Sequence, residues 1–313
     1  MKAITITGLS KPVTTLIQGS DYFRPSVYEK VCNVLDRYVA IGGNTIDTAH
    51  IYCGGESELA IGQWMKDRNN REDVVILTKG AHHDQNGPRV NPEAISRDLF
   101  QSLERLGTDY IDLYALHRDD QNVPVSIIIN ALNEHIIAGR FRAIGGSNWT
   151  TQRLQEANEY AAANGLVGFT FSSPNLSLAK ANEPFWAGCV SADGADCEWH
   201  KECQLPILSW SSQARGFFTG HFTPEDHSNE DLVRVFYSDD NWERLHRAEQ
   251  LAKEKGVSTI QIALAYVLNQ PFPTCALIGA QNEVELISCY EGSKIVLTQE
   301  ELRWLEHVEI SVR

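Results

Sequence analysis

The chain has no basic stripe. Its 27 Lys and Arg stand against 41 Asp and Glu, a formal net charge of −14, and the cations nowhere gather into a run. Nucleic acid and anionic membrane surfaces are therefore poor partners. Long hydrophobic runs are missing as well: nothing approaches the ~20 apolar residues that a bilayer span needs. The opening "MKAITITGLSKPVTTLIQG" lacks an apolar core followed by a small-residue cleavage site. No secretory leader is expected, and a soluble cytoplasmic protein is the default expectation.

Paired cysteine motifs are absent. Seven cysteines, at positions 32, 53, 189, 197, 203, 275 and 289, form an odd and scattered set, which predicts reduced thiols rather than a disulfide framework. Cys189, Cys197, His200 and Cys203 do put four soft ligands within fifteen residues, a set that zinc could use. Without a CxxC pair, and with "CEWHKEC" reading as an amphipathic helix, no metal site is expected. No GxGxxG fingerprint follows the first apolar run, which argues against a Rossmann domain. Nor does any Pro-, Gly- or Ser-rich linker or internal repeat divide the chain, so residues 1–313 are read as one domain.

What is present is alternation. Short apolar runs at 14–18, 45–47, 74–78, 111–115, 143–145, 168–171, 206–210 and 275–278 are separated by helical patterns at 25–41, 56–67, 92–106, 124–138, 151–163 and 282–291. Caps such as Asn91 before Pro92 and Thr150 before Thr151 mark helix starts. The interval 216–273 holds two further helical patterns, 241–255 and 258–269, and "TQEELRWLEHV" reads as a last helix with Leu302, Leu305 and Val308 on one face. Repeated βα units predict a parallel sheet, and eight strands in 313 residues predict an α/β fold of the (β/α)8 TIM-barrel type with extra peripheral helices.

Barrel enzymes place chemistry just past the strand ends. Four residues occupy such places: Asp47 and Tyr52 in "NTIDTAHIYCGGES", Lys79 in "DVVILTKG" and His117 in "DYIDLYALHRDD". A tyrosine hydroxyl, with an ordinary pKa of about 10, is a poor proton donor at neutral pH, but an adjacent ammonium favours the phenolate and is expected to lower that value. Tyr52 would then serve as general acid, Asp47 would hold Lys79 by an ion pair, and His117 would donate to a substrate carbonyl oxygen. Each residue alone has an ordinary explanation, as a turn cap, a solvated strand end or a core aromatic. Their joint placement after successive strands points to carbonyl reduction or its reverse.

These residues resemble the aldo-keto reductase superfamily over nearly the whole chain. The family's Asp, Tyr, Lys and His fall onto Asp47, Tyr52, Lys79 and His117, and "GGNTIDTAHIYCGGESELAIGQWM" matches its second strand and following helix. "IGGSNW" matches a further signature, in which Ser147 and Asn148 would hold the nicotinamide carboxamide. The resemblance implies a dinucleotide, NADP(H) by the family's habit, extended across the barrel rim. Trp210 would stack on the nicotinamide, Ser211, Gln213, Gly216 and Phe217 would follow the pyrophosphate, and Gly279, Gln281, Asn282 and Glu285 would hold the adenosine end. Two departures stand out. Ser172 is assigned where the family often has a Gln, and Gln281 and Glu285 stand where cations usually grip the 2′-phosphate. A phosphate of about −2 charge beside a carboxylate is disfavoured, so NAD(H) use is also expected.

Tyr22, Phe23 and Trp149 are the candidate substrate walls, with His82 and His83 as polar edges; such a pocket suits a small-molecule carbonyl or alcohol. Two other function classes stay open: a nicotinamide-binding regulatory or channel-associated subunit with little turnover, and a phosphate-binding barrel isomerase or lyase, for which Arg215 alone offers the basic grip.

Overall fold

A computed structural model of the chain describes residues 1–306. Eight parallel strands close into one barrel: β3 (Leu16–Gly19), β4 (Thr45–Asp47), β5 (Val75–Gly80), β6 (Ile111–Leu116), β7 (Phe141–Ser147), β8 (Phe171–Ser173), β9 (Ile207–Ser209) and β10 (Thr274–Ile278), with β10 pairing back onto β3. A short antiparallel pair, β1 (Ala3–Ile4) with β2 (Val13–Thr14), precedes them. The run expected at 14–18 is thus two elements, since Val13 and Thr14 pair with the hairpin and only Leu16 onward enters the barrel. The strand expected at 168–171 starts later, at Phe171. The Asn158 side chain accepts from the Phe169 backbone N–H and donates to its carbonyl, taking groups a ladder would have used.

The helices follow the predicted order. They are α1 (Tyr28–Ala40), α2 (Glu56–Arg68), α3 (Pro92–Leu106), α4 (Val125–Ile137), α5 (Thr151–Ala163), α6 (Gly194–Cys203), α7 (Glu230–Phe236), α8 (Asp239–Lys255), α9 (Thr259–Leu268), α10 (Glu283–Gly292) and α11 (Gln299–Glu306). Asn91 accepts from the Ala94 N–H at the start of α3 and Thr150 from Arg153 at the start of α5, as their cap chemistry requires. The connection expected to carry two helices carries three, α7 to α9. On α11, Leu302 and Leu305 are buried and the helix packs on α8, outside the barrel; Val308 lies outside the described residues. Among the described residues no helix is long and apolar enough to cross a membrane.

The core divides as a barrel requires. One apolar cluster fills the interior, with Val75 and Leu77 of β5, Leu113 and Ala115 of β6, Ala143 of β7 and Phe171 of β8. Two larger clusters sit between strands and helices and include Ile46, Ile76, Tyr114 and Ile144. The alternation is the period of two along each strand. It decides what faces the mouth.

Candidate functional site

Continuing each inward series past its apolar layer gives the side chains at the C-terminal mouth. Leu77 is inward, so Lys79 is; Ala115 is inward, so His117 is; Ile46 faces the helices, so Asp47 turns inward. Tyr52 comes from the short 3-10 turn Tyr52–Gly55, which opens α2, and reaches the same point. One cavity of about 990 Å³ contains all four.

Lys79 is 2% exposed and its ammonium spends its three protons inside the protein. Nζ donates to Asp47 Oδ1 at 2.5 Å, to the Thr48 carbonyl at 2.9 Å and to the Tyr52 hydroxyl at 3.1 Å. Because the hydroxyl oxygen accepts from Lys79, its own proton is directed elsewhere, and Tyr52 lines the cavity. The His117 ring lies edge-on to Tyr52, centroids 5.7 Å apart, and His82 packs edge-on to His117 at 4.7 Å.

Burial dominates the electrostatics. It pushes the Tyr52 phenol up to about 12, against the pull of Lys79. The expected lowering is therefore corrected: the ammonium only moderates a rise caused by removing the phenolate from water. Burial also raises the Asp47 carboxyl to about 6, with Lys79 opposing. For Lys79 burial works against the charged form, but Asp47 and Tyr52 outweigh it and the net direction is upward. His117 is held well below its ordinary value by burial first and by Lys79 second. At neutral pH the set is an ammonium–carboxylate pair, a neutral phenol and a neutral imidazole.

From this point the cavity runs along the rim past Ser147, Asn148, Trp210, Ser211, Gln213 and Gly216 to Gly279, Gln281 and Glu285. Gly279 leaves open space, since no atom lies within 4 Å of where a Cβ would stand. The volume is at the top of the range of about 300–1,000 Å³ usual for small-molecule and cofactor sites.

Several expected contacts are placed differently. Asn148 lines the wall, but Nδ2 donates to the His117 carbonyl and Ser147 Oγ, while Oδ1 accepts from the Val190 N–H and Trp210 Nε1. All four of its hydrogen-bonding positions are used within the chain. Ser172 does not reach the cavity: Phe171 faces the interior, so the next residue faces the helices, where Oγ is buried without a partner. Phe23 and Trp149, expected as substrate walls, are buried in the shell under α1 to α5, and Phe217 is buried in the other shell against Trp242. Loop aromatics went to the apolar layer because burying such a ring is worth about 2 kcal/mol or more. Asn282 accepts from the Glu285 N–H and caps α10 instead of lining the main channel. Tyr22 does line it, but at the far end, donating to the Ala280 carbonyl beneath Lys30, 5.6 Å above its ring.

The structure adds residues that strand patterns did not signal. Arg118, Trp186 and Cys189 line the cavity near the tetrad, and Arg215 lines it where its guanidinium stacks on Phe185 and Trp186. Trp186 and Cys189 sit on the long loop between β8 and α6. Of the suggested metal set, Cys189 is at the cavity while His200 Nδ1 pairs with the Leu205 carbonyl just past the end of α6. Among the described residues no group of three or more metal-ligating side chains converges.

The chain is similar to known proteins over nearly its whole length. The family model described as "Aldo/keto reductase family" matches residues 15–310. Norsolorinic acid reductase B of Aspergillus parasiticus is 28% identical over 306 residues, covering 93% of this chain and 77% of that protein. A probable voltage-gated potassium channel subunit beta of Oryza sativa subsp. japonica is 28% identical, covering 85% and 83%. The solved glycerol dehydrogenase of Gluconobacter oxydans shares the fold with a TM-score of 0.77 at 22% identity, over 97% of this chain and 94% of that one.

Proposed function

Because this chain belongs to the aldo/keto reductase family, we propose that it transfers hydride reversibly between a nicotinamide dinucleotide and a small carbonyl compound, with Tyr52 as general acid and base. The observation that carries this is the donation from Lys79 Nζ to the Tyr52 hydroxyl, which frees the phenolic proton for a ligand in the cavity. When bound, the dinucleotide supplies the hydride that no side chain here can. The chain's own part is proton delivery and polarisation. A carbonyl oxygen seated between Tyr52 and His117 gains negative charge during reduction and takes the Tyr52 proton. The phenolate left behind is stabilised by the Lys79 ammonium, and Asp47 keeps that ammonium aimed. Since Lys79 already holds the hydroxyl, little reorganisation is needed.

Ser211, Gln213, Gly216 and Arg215 would follow the pyrophosphate, and Gly279, Gln281 and Glu285 the adenosine. At that end charges nearly offset. Glu285 accepts from the Gln281 N–H at 2.8 Å, and Lys30 Nζ donates to Gln281 Oε1 at 3.0 Å. A carboxylate that disfavours a 2′-phosphate thus lies near an exposed ammonium that favours one. Relaxed cofactor choice follows, with kcat/KM for NADPH and NADH within about tenfold, which is about 1.4 kcal/mol. A spectrophotometric screen of aldehydes, ketones and keto sugars with both reduced cofactors tests this and the reaction together. A preference far above tenfold would contradict the charge argument, and no turnover of any carbonyl would contradict the enzyme reading.

A second reading is favoured by the similarity to a channel subunit beta: a dinucleotide-binding regulatory protein. Tight nicotinamide binding without reduction across the same panel would select it. Reduction by the intact tetrad would reject it.

A further inference from the structure

Arg118 follows His117 at the end of β6 and is 7% exposed. Sequence neighbours suggest that Asp119 and Asp120 neutralise it. They do not. Asp119 Oδ2 lies 3.1 Å from Arg153 Nε, and Asp120 Oδ1 accepts from the Asn122 backbone and side-chain N–H groups. Among the described residues no carboxylate lies within 4.0 Å of the Arg118 guanidinium. Its protein partners are neutral: Nη1 donates to the His117 carbonyl at 2.8 Å and Nε to the Ala187 carbonyl at 3.3 Å. Nη2 makes no hydrogen bond to a described residue, and the side chain lines the catalytic cavity.

A charge buried without a counter-ion is costly, and arginine in a cavity presents a planar fork suited to a carboxylate. The two acids beside it cannot fill that role. Burial raises both the Cys189 thiol and the Tyr52 phenol, so neither is an anion at neutral pH. Burial likewise lowers Arg118 itself, the mark of a cation lacking compensation. The loop over it is fixed: Gly188, with φ of +72°, brings its Cα region to the arginine stem, where an added Cβ would lie 3.3 Å from Cδ. The same loop presents Trp186, whose ring centroid is 6.0 Å from that of Trp210. The cavity beside the tetrad therefore combines an unpaired guanidinium with indole walls.

We infer that Arg118 is a specificity-determining residue that receives a carboxylate of the substrate, so that the preferred carbonyl compounds are oxo acids or acid-bearing aldehydes with an apolar body. The assignment to a substrate rests on the proposed reductase function, but the anion site itself is independent of turnover. Calorimetric titration of benzoate and of its neutral isostere benzamide into the cofactor-loaded protein separates the two. Benzoate should bind at least about tenfold tighter, as a charge-assisted bidentate contact implies, and Arg118→Met should bring the two ligands to parity. Arg118→Lys, which keeps the charge without the fork, should fall between them. In turnover, the kcat/KM ratio of phenylglyoxylate to its methyl ester should collapse toward unity in Arg118→Met.

A purely structural arginine, serving only to fasten Ala187, predicts that acid and neutral ligands weaken alike. Equal binding of benzoate and benzamide to the unaltered protein, or a preference that survives in Arg118→Met, would overturn the inference. Should Arg118→Met not fold, the comparison on the unaltered protein and on Arg118→Lys still decides. Benzoate selectivity without any carbonyl turnover would leave the anion site standing and remove the reductase.

Discussion

Tyr52→Phe is expected to reduce carbonyls about 10²-fold more slowly or worse, the usual contribution of a positioned general acid, while binding the dinucleotide as the unaltered protein does. The substitution deletes one oxygen. Its hydrogen bond from Lys79 is lost, but Lys79 keeps Asp47 and the Thr48 carbonyl as partners, so the buried ammonium is not stranded. Stability should change little. Single-turnover absorbance at the reduced nicotinamide band, paired with cofactor fluorescence titration, separates loss of chemistry from loss of binding. Turnover at the unaltered rate would exclude Tyr52 as the donor.

Lys79→Met should cost both activity and stability. It removes the cation that stabilises the phenolate, so reduction falls as in Tyr52→Phe. It also leaves the Asp47 carboxylate buried and unpaired, and breaking one side of a buried pair costs about 3–5 kcal/mol. Adding Asp47→Asn removes the orphaned charge. The double variant should therefore recover much of the lost stability in denaturant unfolding of the cofactor-free protein, and none of the activity. If the double variant remained as unstable as the single one, the Lys79–Asp47 contact would not be the source of the loss. The comparison thus ties the ion pair to folding and the ammonium to chemistry, two roles for one side chain.

Much of this was readable from the residues. Short apolar runs alternating with helical patterns located the eight barrel strands, the sixth by a single residue, and Asp47, Tyr52, Lys79 and His117 meet in one cavity. What could not be read was which face of a short buried run turns inward. Val75–Ile76–Leu77 is apolar throughout because both faces are covered, so parity appears only once the barrel closes. Ser172 stands where the resemblance implies a cofactor contact, but one residue of shift along the strand sends it to the helices. Phe23, Trp149 and Phe217 are buried for a related reason: a loop ring beside a motif can face ligand or core, and packing decides. The direction of the Tyr52 shift is not legible in the motif, which shows adjacency to Lys79 but not full burial. Nothing in the sequence marks Arg118: Asp119 and Asp120 follow it, and only the fold shows that Arg153 takes Asp119.

The central claim is that the proton comes from the phenol rather than from an imidazole, and the pH dependence of kcat/KM in both directions separates them. With Tyr52 as donor and its phenol pushed far up, reduction should stay level from about pH 7, above the Asp47 carboxyl at about 6, to pH 9, while oxidation of the product alcohol, which needs the phenolate, should keep rising with pH over the same span. Loss of reduction as pH rises through the ordinary histidine value of about 6.5, persisting in Tyr52→Phe, would contradict the account and move the acid to His117.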